Sequence, residues 1–217
     1  RFAIAATTLS FGDAGGYNFY ILCIDEIGDT VWTRAYGGME DDASTGLIQL
    51  EDGSLICGGS TASTDANKSD LYLVKLSPDG NLIWSRSYGG ELNDFGMAIT
   101  EDVNGDILLA GSTFSFQAQH QDIYLIKTDS NGTLLWSRLF GYPGPDECRD
   151  LKTVSAGGCI LCGTTYPQLD SEASGMLLLR LETDGDTLWS RVYGQDLWAE
   201  GRGIIELDDG GFLACGS

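Results

Sequence analysis

The chain has 217 residues, with 32 acidic and 12 basic side chains that give a net charge of −20. This charge excludes nucleic-acid binding, which needs lysine and arginine against the phosphates, and equally excludes docking on an anionic membrane surface. It suits a self-repelling protein or one with a cationic partner. No apolar run is long enough to cross a membrane, so we expect no membrane insertion.

In chain order, residues 1–36 are predicted to hold the second, third and fourth strands of a first repeat. Complete four-stranded repeats are predicted at 44–88, 96–140 and 148–193, and the first two strands of another at 201–217. Short apolar runs alternate with Asn-Gly and Asp-Gly turns throughout, which is typical of antiparallel hairpins. No segment has helical periodicity.

Four tryptophans recur about every 52 residues, and other positions keep the same register around each of them. A turn glycine precedes each tryptophan, a hydroxyl residue and an arginine follow it, and an aromatic–glycine pair comes next. The tryptophans and arginines of the repeat are Trp32, Trp84, Trp136, Trp189, Arg34, Arg86, Arg138 and Arg191. The sequence therefore predicts an all-β fold, a β-propeller of four-stranded antiparallel blades with about 52 residues per blade. We expect the tryptophans to pack between blades.

Residues 1–217 are interpreted as one β-propeller region with a partial repeat at each end. The overlapping ends indicate an incomplete ring or a fragment of a larger propeller, of about six to eight blades. A closed four-bladed ring is the alternative, and a ring completed by two copies of the chain is a more remote one. A native chain ending at Ser217 would contradict the fragment hypothesis.

The connections between strands are of two kinds. Connections from first to second and from third to fourth strands are tight turns, whereas those from second to third strands are long and differ between repeats. The long ones are Leu9–Tyr17, Ser60–Ser69, Thr113–Gln121 and Thr165–Ser174. Variable loops on a rigid scaffold usually carry recognition, so we expect a protein or glycan partner to bind there.

The block Lys127–Arg138 resembles the tryptophan-docking repeats of PQQ-like propellers, although its interval from Asp129 to Gly132 is one residue shorter than theirs. The fuller pattern is Asp-x-Tyr-Leu-x-Lys, Asp-Gly or Asn-Gly, Trp-Ser-Arg-x-Tyr-Gly-Gly and Gly-Ser-Thr. It is similar to that of uncharacterised secreted bacterial and archaeal β-propeller repeat proteins. This resemblance implies a propeller fold and an extracellular or cell-surface location, and it implies no catalytic residues.

An aspartate recurs after the aromatic–glycine pair of three repeats, at Asp42, Asp94 and Asp146, and the fourth repeat has Ala199 there. Each carboxylate can accept backbone N–H bonds and order its own loop, which the repetition favours. The alternative is a site for Ca²⁺ or a cationic ligand, although no calcium-binding loop of the Asp-x-Asp-x-Asp-Gly type accompanies these residues. No other cofactor is expected.

Several residues stand outside the repeat. His120 is the single histidine and has no Gly-x-Ser-x-Gly elbow beside it, so we expect an exposed loop residue rather than a member of a catalytic triad. Trp198 and Glu200 lie before a first strand, where Trp198 is either a contact for a partner or a cap on a blade interface. Cys159 and Cys162 have a metal-like spacing but point to opposite faces of a strand, so buried free thiols are expected.

The sequence favours a non-enzymatic extracellular scaffold for protein–protein or cell-surface interaction. A carbohydrate-binding propeller is one alternative, and a hydrolase or lyase with a site at the channel mouth is another. Aromatic and amide side chains that converge in the loops would favour a sugar, whereas paired carboxylates in unlike environments would favour an enzyme. We expect the repeated arginines to bind a neighbouring element, so Arg138→Ala should lower the melting temperature.

Overall fold

The computed structural model describes residues 1–10, 15–65, 68–168, 173–194 and 198–217. In these residues the chain forms 17 β-strands, and it contains no helix that could span a membrane. Two compact units divide the chain, Arg1–Ile99 and Thr100–Ser217, and strand β8 runs through the boundary. Each strand pairs antiparallel with strands adjacent to it in sequence.

The first unit contains a three-stranded sheet, a four-stranded sheet and the beginning of β8. Its strands are β1 Phe2–Thr8, β2 Asn18–Ile24, β3 Thr30–Tyr36, β4 Asp42–Gln49, β5 Leu55–Asp65, β6 Lys68–Leu76, β7 Leu82–Tyr88 and β8 Asp94–Glu101. The strand orders are β1-β2-β3 and β4-β5-β6-β7, which is the meander of a propeller blade.

The second unit continues the same pattern. Its strands are β9 Ile107–Thr113, β10 Asp122–Thr128, β11 Leu134–Phe140, β12 Asp146–Thr153, β13 Cys159–Thr165, β14 Gly175–Leu181, β15 Thr187–Tyr193, β16 Gly201–Glu206 and β17 Phe212–Gly216. The orders are β8-β9-β10-β11, β12-β13-β14-β15 and β16-β17. The predicted all-β fold of four-stranded antiparallel propeller blades is confirmed.

The apolar core of each unit lies between successive sheets. In the first unit Phe19 and Ile21 of β2 are fully buried, and the Phe19 ring meets Tyr72 of β6 edge-on, with 5.4 Å between ring centroids. In the second unit Ile160 and Ile204 belong to one cluster that joins β13 to β16. Central strands are therefore covered on both faces, which explains their nearly continuous apolar sequences.

Tryptophans of the repeat pack against turn glycines of the next blade. A Cβ added to Gly80, in the β6–β7 turn, would lie 2.9 Å from the Trp32 ring, and one added to Gly185 would lie 3.1 Å from Trp136. These glycines have φ angles of +77° and +86°, which L side chains rarely adopt. The turn thus needs glycine both for its backbone and for the close approach of the ring.

Each sheet has two different ends. We call the end with the tight first-to-second and third-to-fourth turns the short-turn end, and the opposite end the long-connection end. For the sheet β8–β11, the short-turn end holds Asp102–Asp106 and Asp129–Gly132. Its long-connection end holds Thr113–Gln121 and Gly141–Glu147.

The short-turn end of this sheet contains a buried ion cluster. The Lys127 ammonium lies 2.6 Å from Asp102 Oδ2 and 3.0 Å from Asp106 Oδ2, and the Lys127 and Asp102 side chains are only 7% and 4% exposed. Burial alone would lower the pKa of Lys127, but hydrogen bonds to the two carboxylates outweigh it and raise the pKa. Burial would likewise raise the pKa of Asp102, but Lys127 and two backbone N–H donors lower it. The ammonium therefore offsets one of the two negative charges of the cluster within the fold.

Candidate functional site

The predicted loop Ser60–Ser69 is wrong, because β5 extends to Asp65 and β6 begins at Lys68, so most of it lies in paired strands. The other long connections are described to different extents. Parts of the predicted binding loops lie outside the described residues, namely 11–14, 66–67 and 169–172, as do residues 195–197 before Trp198. The β9–β10 connection, Thr113–Gln121, is described throughout. It therefore offers the clearest view of a long-connection end.

A cavity of about 340 Å³ opens beside this connection, and we call it the β10 cavity. Its lining includes Phe116 and His120 from the β9–β10 connection, Asp122 from the start of β10, and Gly141 and Tyr142 after β11. The volume falls in the range of small ligand sites. The expectation of an exposed position for His120 is wrong, because this residue is partly buried against the cavity.

The lip of the β10 cavity has an unusual backbone. Phe116 and Gln117 have φ angles of 57° and 67°, a left-handed conformation that costs about 1–3 kcal/mol for a residue other than glycine. Two contacts hold it in place. The buried Ser115 donates its N–H to Thr113 Oγ1 at 2.8 Å, and the Phe116 ring packs on Tyr124 with 5.0 Å between centroids. Backbone strain held in this way is typical of binding sites.

Two carboxylates, which we call the acid pair, converge behind the cavity. Asp122 begins β10 and Asp146 begins β12, and both approach the backbone at Gly141. A Cβ added to Gly141 would collide with Asp122 Oδ1 and would lie 3.2 Å from Asp146 Oδ2. Asp146 is fully buried, and its Oδ2 accepts the Tyr142 N–H at 2.6 Å. A side chain at this position would therefore displace the Asp122 carboxylate.

The environment of the acid pair disfavours two negative charges. Burial raises the pKa of Asp146 to about 6, and the neighbouring Asp122 raises it further, against the hydrogen bond from Tyr142. The Thr165 hydroxyl lies near Asp146 without reaching hydrogen-bonding geometry. Burial also raises the pKa of Asp122, which His120 partly lowers. The pair therefore titrates closer to neutral pH than ordinary carboxyls do.

The three repeated aspartates hold equivalent places. Asp42 Oδ2 accepts the Gly38 N–H at 2.8 Å, and Asp94 Oδ2 accepts the Gly90 N–H at 2.7 Å, as Asp146 does from Tyr142. Each carboxylate thus orders the loop before its own strand. The first strands begin at these aspartates, two residues before their predicted starts, because the anchored residue already pairs with the next strand.

No metal cluster is apparent in the described part of the chain. Nowhere in residues 1–10, 15–65, 68–168, 173–194 and 198–217 do three or more His, Cys, Asp or Glu side chains group so that they could hold a metal ion. Calcium binding by Asp42, Asp94 and Asp146 stays a prediction.

The repeated arginines lie over the tryptophans of their own strands. The guanidinium carbons of Arg34, Arg86 and Arg138 are 6.0, 6.0 and 5.5 Å from the ring centroids. Arg138 also donates to the backbone oxygen of Asp184 at 3.0 Å and lies 3.6 Å from the Asp186 carboxylate. Arg138 thus contacts the β14–β15 turn of the following blade.

Trp198 and Glu200 differ in exposure. Trp198 is 68% exposed, whereas Glu200 pairs with Arg202, and its N–H donates to the Ser217 carbonyl at 2.8 Å. Exposure suits a contact role for Trp198, and the ion pair occupies the Glu200 carboxylate. Binding by either residue stays a prediction.

All six cysteines are free thiols, and all but Cys215 are buried. Burial raises the pKa of Cys57 and of Cys159 to about 12, and that of Cys162 to about 11. These thiols are therefore protonated at neutral pH, and a protonated thiol is neither a good nucleophile nor a metal ligand.

Sequence reasoning missed Asp122, Phe116 and Tyr142 as candidate site residues. A signal for Asp122 was present, because Asp70 occupies the equivalent position at the start of the third strand in the preceding repeat. Nothing in the sequence indicated that Phe116 would adopt a left-handed backbone.

Residues 50–82 match a family described as "Domain of unknown function (DUF5122) beta-propeller". This segment runs from the β4–β5 turn through β5 and β6 to the start of β7, which is most of one blade. No curated protein matches the chain. The chain thus folds into β-propeller blades and is similar, over one of them, to a propeller family of unknown function.

Proposed function

We propose that the chain is a non-enzymatic extracellular propeller scaffold that binds a protein partner at the long-connection ends of its blades. The contrast between the two ends carries this proposal. The short-turn end of the β8–β11 sheet is occupied by Lys127 between two aspartates. The described long-connection end of this sheet instead has a cavity lined in part by the variable β9–β10 connection. The first two sheets differ, because a cavity of about 360 Å³ lies at their short-turn end beside Trp32, Leu55 and Pro78.

The acid pair does not make the β10 cavity a hydrolase site. Two-carboxylate hydrolysis requires both groups to reach the substrate. Asp122 lines the cavity, but Asp146 is fully buried behind Gly141 and is engaged by the Tyr142 N–H. The described lining also contains no serine, cysteine or lysine that could act as a nucleophile. Binding without chemistry is the simpler use of this site.

A carbohydrate is the second candidate ligand. The rings of Phe116 and Tyr142 and the amides of Gln117 and Gln119 meet at the same cavity. Aromatic faces and amide hydrogen-bonding groups together suit a sugar ring.

Replacement of the β9–β10 connection tests the binding role. In one variant a short Asn-Gly turn replaces residues 114–121, and in a matched control the short turn Asp129–Gly132 keeps its length but becomes Asp-Asp-Asn-Gly. Both are immobilised with the natural chain and exposed to proteins released from the surface of the source cells. The proposal requires partners, identified by mass spectrometry, that bind the natural chain and the control but not the loop variant. Equal retention by all three would contradict it.

The extracellular location rests on the acidic charge and on the resemblance to secreted propeller repeats. Antibody detection in the medium, cell-surface and cytosolic fractions tests it directly. Detection in the cytosolic fraction alone would contradict the location while leaving the binding role to the loop experiment.

A further inference from the structure

We propose that the β10 cavity binds the ammonium or guanidinium group of a lysine or arginine side chain on a partner protein. This inference rests on the proposed protein-binding function and specifies the chemistry of recognition. It is carried by the acid pair, the aromatic lining and an internal comparison with the preceding blade.

Negative charge at the β10 cavity is not paired with a lysine or arginine of the described lining. Asp122 lines the cavity and Asp146 lies directly behind Gly141, while the described lining contains no lysine or arginine. The second oxygen of Asp146, Oδ1, is buried and accepts no hydrogen bond from the described residues. A cation placed beside Asp122 would offset the repulsion between the two carboxylates.

The other lining groups also suit a cation. Phe116 and Tyr142 contribute aromatic rings, whose faces attract ammonium and guanidinium groups. Gln117 and Gln119 contribute amide oxygens that accept N–H donors. The net charge of −20 adds a long-range attraction for a basic partner.

The preceding blade has a lysine two residues before the aspartate that is equivalent to Asp122. Asp70 and Asp94 converge on Gly89 there as the acid pair converges on Gly141. Lys68, two residues before Asp70, donates its ammonium to the backbone oxygen of Glu91, two residues after Gly89. The β4–β7 blade thus has an ammonium of its own bonded to the loop that follows Gly89.

The β8–β11 blade lacks that cation. His120 stands two residues before Asp122, where the other blade has its lysine, and Pro143 stands two residues after Gly141. Both His120 and Pro143 line the open cavity. The β8–β11 blade therefore has no lysine at the position of Lys68, and its cavity is open there instead.

The β12–β15 blade shows that the carboxylates are not needed to build a blade. Its positions equivalent to Asp122 and Asp146 are Gly175 and Ala199, and its four strands still pair in the same order. A blade can therefore form without either carboxylate.

A titration followed by NMR tests the inference on the whole chain. The probes are Nα-acetyl-lysine amide, Nα-acetyl-arginine amide and the neutral isostere Nα-acetyl-norleucine amide. We expect the cationic probes to shift the Gly141 and Tyr142 backbone N–H signals saturably, with affinity at least about tenfold above that of the norleucine probe. Equal affinity for the neutral probe would overturn the proposal.

Matched variants locate the site. Asp122→Asn should weaken binding of the cationic probes by about tenfold or more, because it removes the carboxylate that lines the cavity. Asp70→Asn, the same change in the preceding blade, should leave binding unchanged. Unaltered NMR spectra elsewhere would show that each variant is folded. Binding that survives Asp122→Asn in a folded chain would overturn the assignment.

Two further probes separate the sources of the cation. A lysine-containing hexapeptide should bind more tightly than 1,4-diaminobutane, since a partner's side chain brings backbone contacts with it. Tighter binding of the diamine would contradict a protein ligand, and binding of glucose or galactose without any cationic probe would favour the carbohydrate candidate. Failure of every cationic probe would overturn this inference alone, because loop replacement tests the wider function independently.

Discussion

The two ends of strand β10 differ in whether the protein supplies a lysine beside its carboxylates. Near its C-terminal end, Lys127 lies between Asp102 and Asp106, so the fold supplies a cation to its own carboxylates. At its first residue, Asp122 meets Asp146 without a lysine or arginine in the described cavity lining. A buried carboxylate that is paired with a lysine stabilises the fold. A carboxylate that has no lysine or arginine beside it is instead a candidate for binding an external cation.

The largest expected effect on stability is at the end of β10 that holds Lys127. Lys127→Met would leave Asp102 buried without its cation, so we expect a loss of about 3–5 kcal/mol in the free energy of unfolding, measured by urea denaturation. Lys75→Met is the matched control. Lys75 lies 3.9 Å from Asp52, whose side chain is 64% exposed and keeps its hydration, so the loss should be smaller. Equal losses of unfolding free energy in the two variants would show that the buried ion cluster stabilises the fold no more than the exposed pair does.

The next effect tests the tryptophan–glycine contact at the short-turn end. Gly80→Ala adds a Cβ that lies 2.9 Å from the Trp32 ring and forces alanine to φ +77°. We expect a loss of about 2–3 kcal/mol in the free energy of unfolding.

Gly28→Ala separates strain from packing. Gly28 has φ +91° but nothing within 4 Å of the added Cβ, so only the backbone strain should remain. Its cost should therefore be about 1 kcal/mol. If Gly80→Ala costs no more than Gly28→Ala, the ring contact contributes little to stability.

Substitution in the acid pair should have the opposite effect, a gain in stability that depends on pH. Because burial raises the pKa of Asp146 to about 6, the folded protein binds the proton more tightly than the unfolded chain. The stabilising contribution of the protonated Asp146 is full below the ordinary carboxyl pKa and is lost as the pH rises through about 6.

Asp146→Asn removes this titration while its amide oxygen can still accept the Tyr142 N–H. The stability of this variant relative to the natural chain should therefore rise by about 1–2 kcal/mol between pH 4 and pH 7.5, measured by urea denaturation at each pH. Asp94→Asn, which alters the equivalent bond to Gly90, reports the cost of the hydrogen bond itself. A difference that does not change with pH would contradict the role of burial.

The smallest effect concerns the arginines. Arg138→Ala removes the hydrogen bond to Asp184 and the long ion pair with Asp186, both at the surface. We expect a loss of less than about 1 kcal/mol, or a melting temperature about 2–4 °C lower. Arg191→Ala is the control, since its side chain donates to the adjacent Ser190 carbonyl. Arg191→Ala should cost less, and an unchanged melt for Arg138→Ala would remove the proposed link between blades.

The sequence by itself determined the strands, the tight turns and the propeller class. These features depend on local rules: glycines such as Gly80 and Gly132 are needed where the backbone has positive φ, and apolar runs between them form paired strands. Because the same residues recur in every repeat, the assignment of one hairpin applied to all of them and predicted the whole architecture. Periodicity also located Asp146, which the structure places at the start of β12.

Only the tertiary structure decided which charges meet. Lys127 and Asp102 are far apart in sequence, and the meander brings them together at one end of a sheet. Asp122 meets Asp146 because the loop at Gly141 passes between them, and the cavity lip depends on the left-handed backbone at Phe116. Such encounters arise from packing over long sequence separations, whereas periodicity and turn propensity report only local conformation.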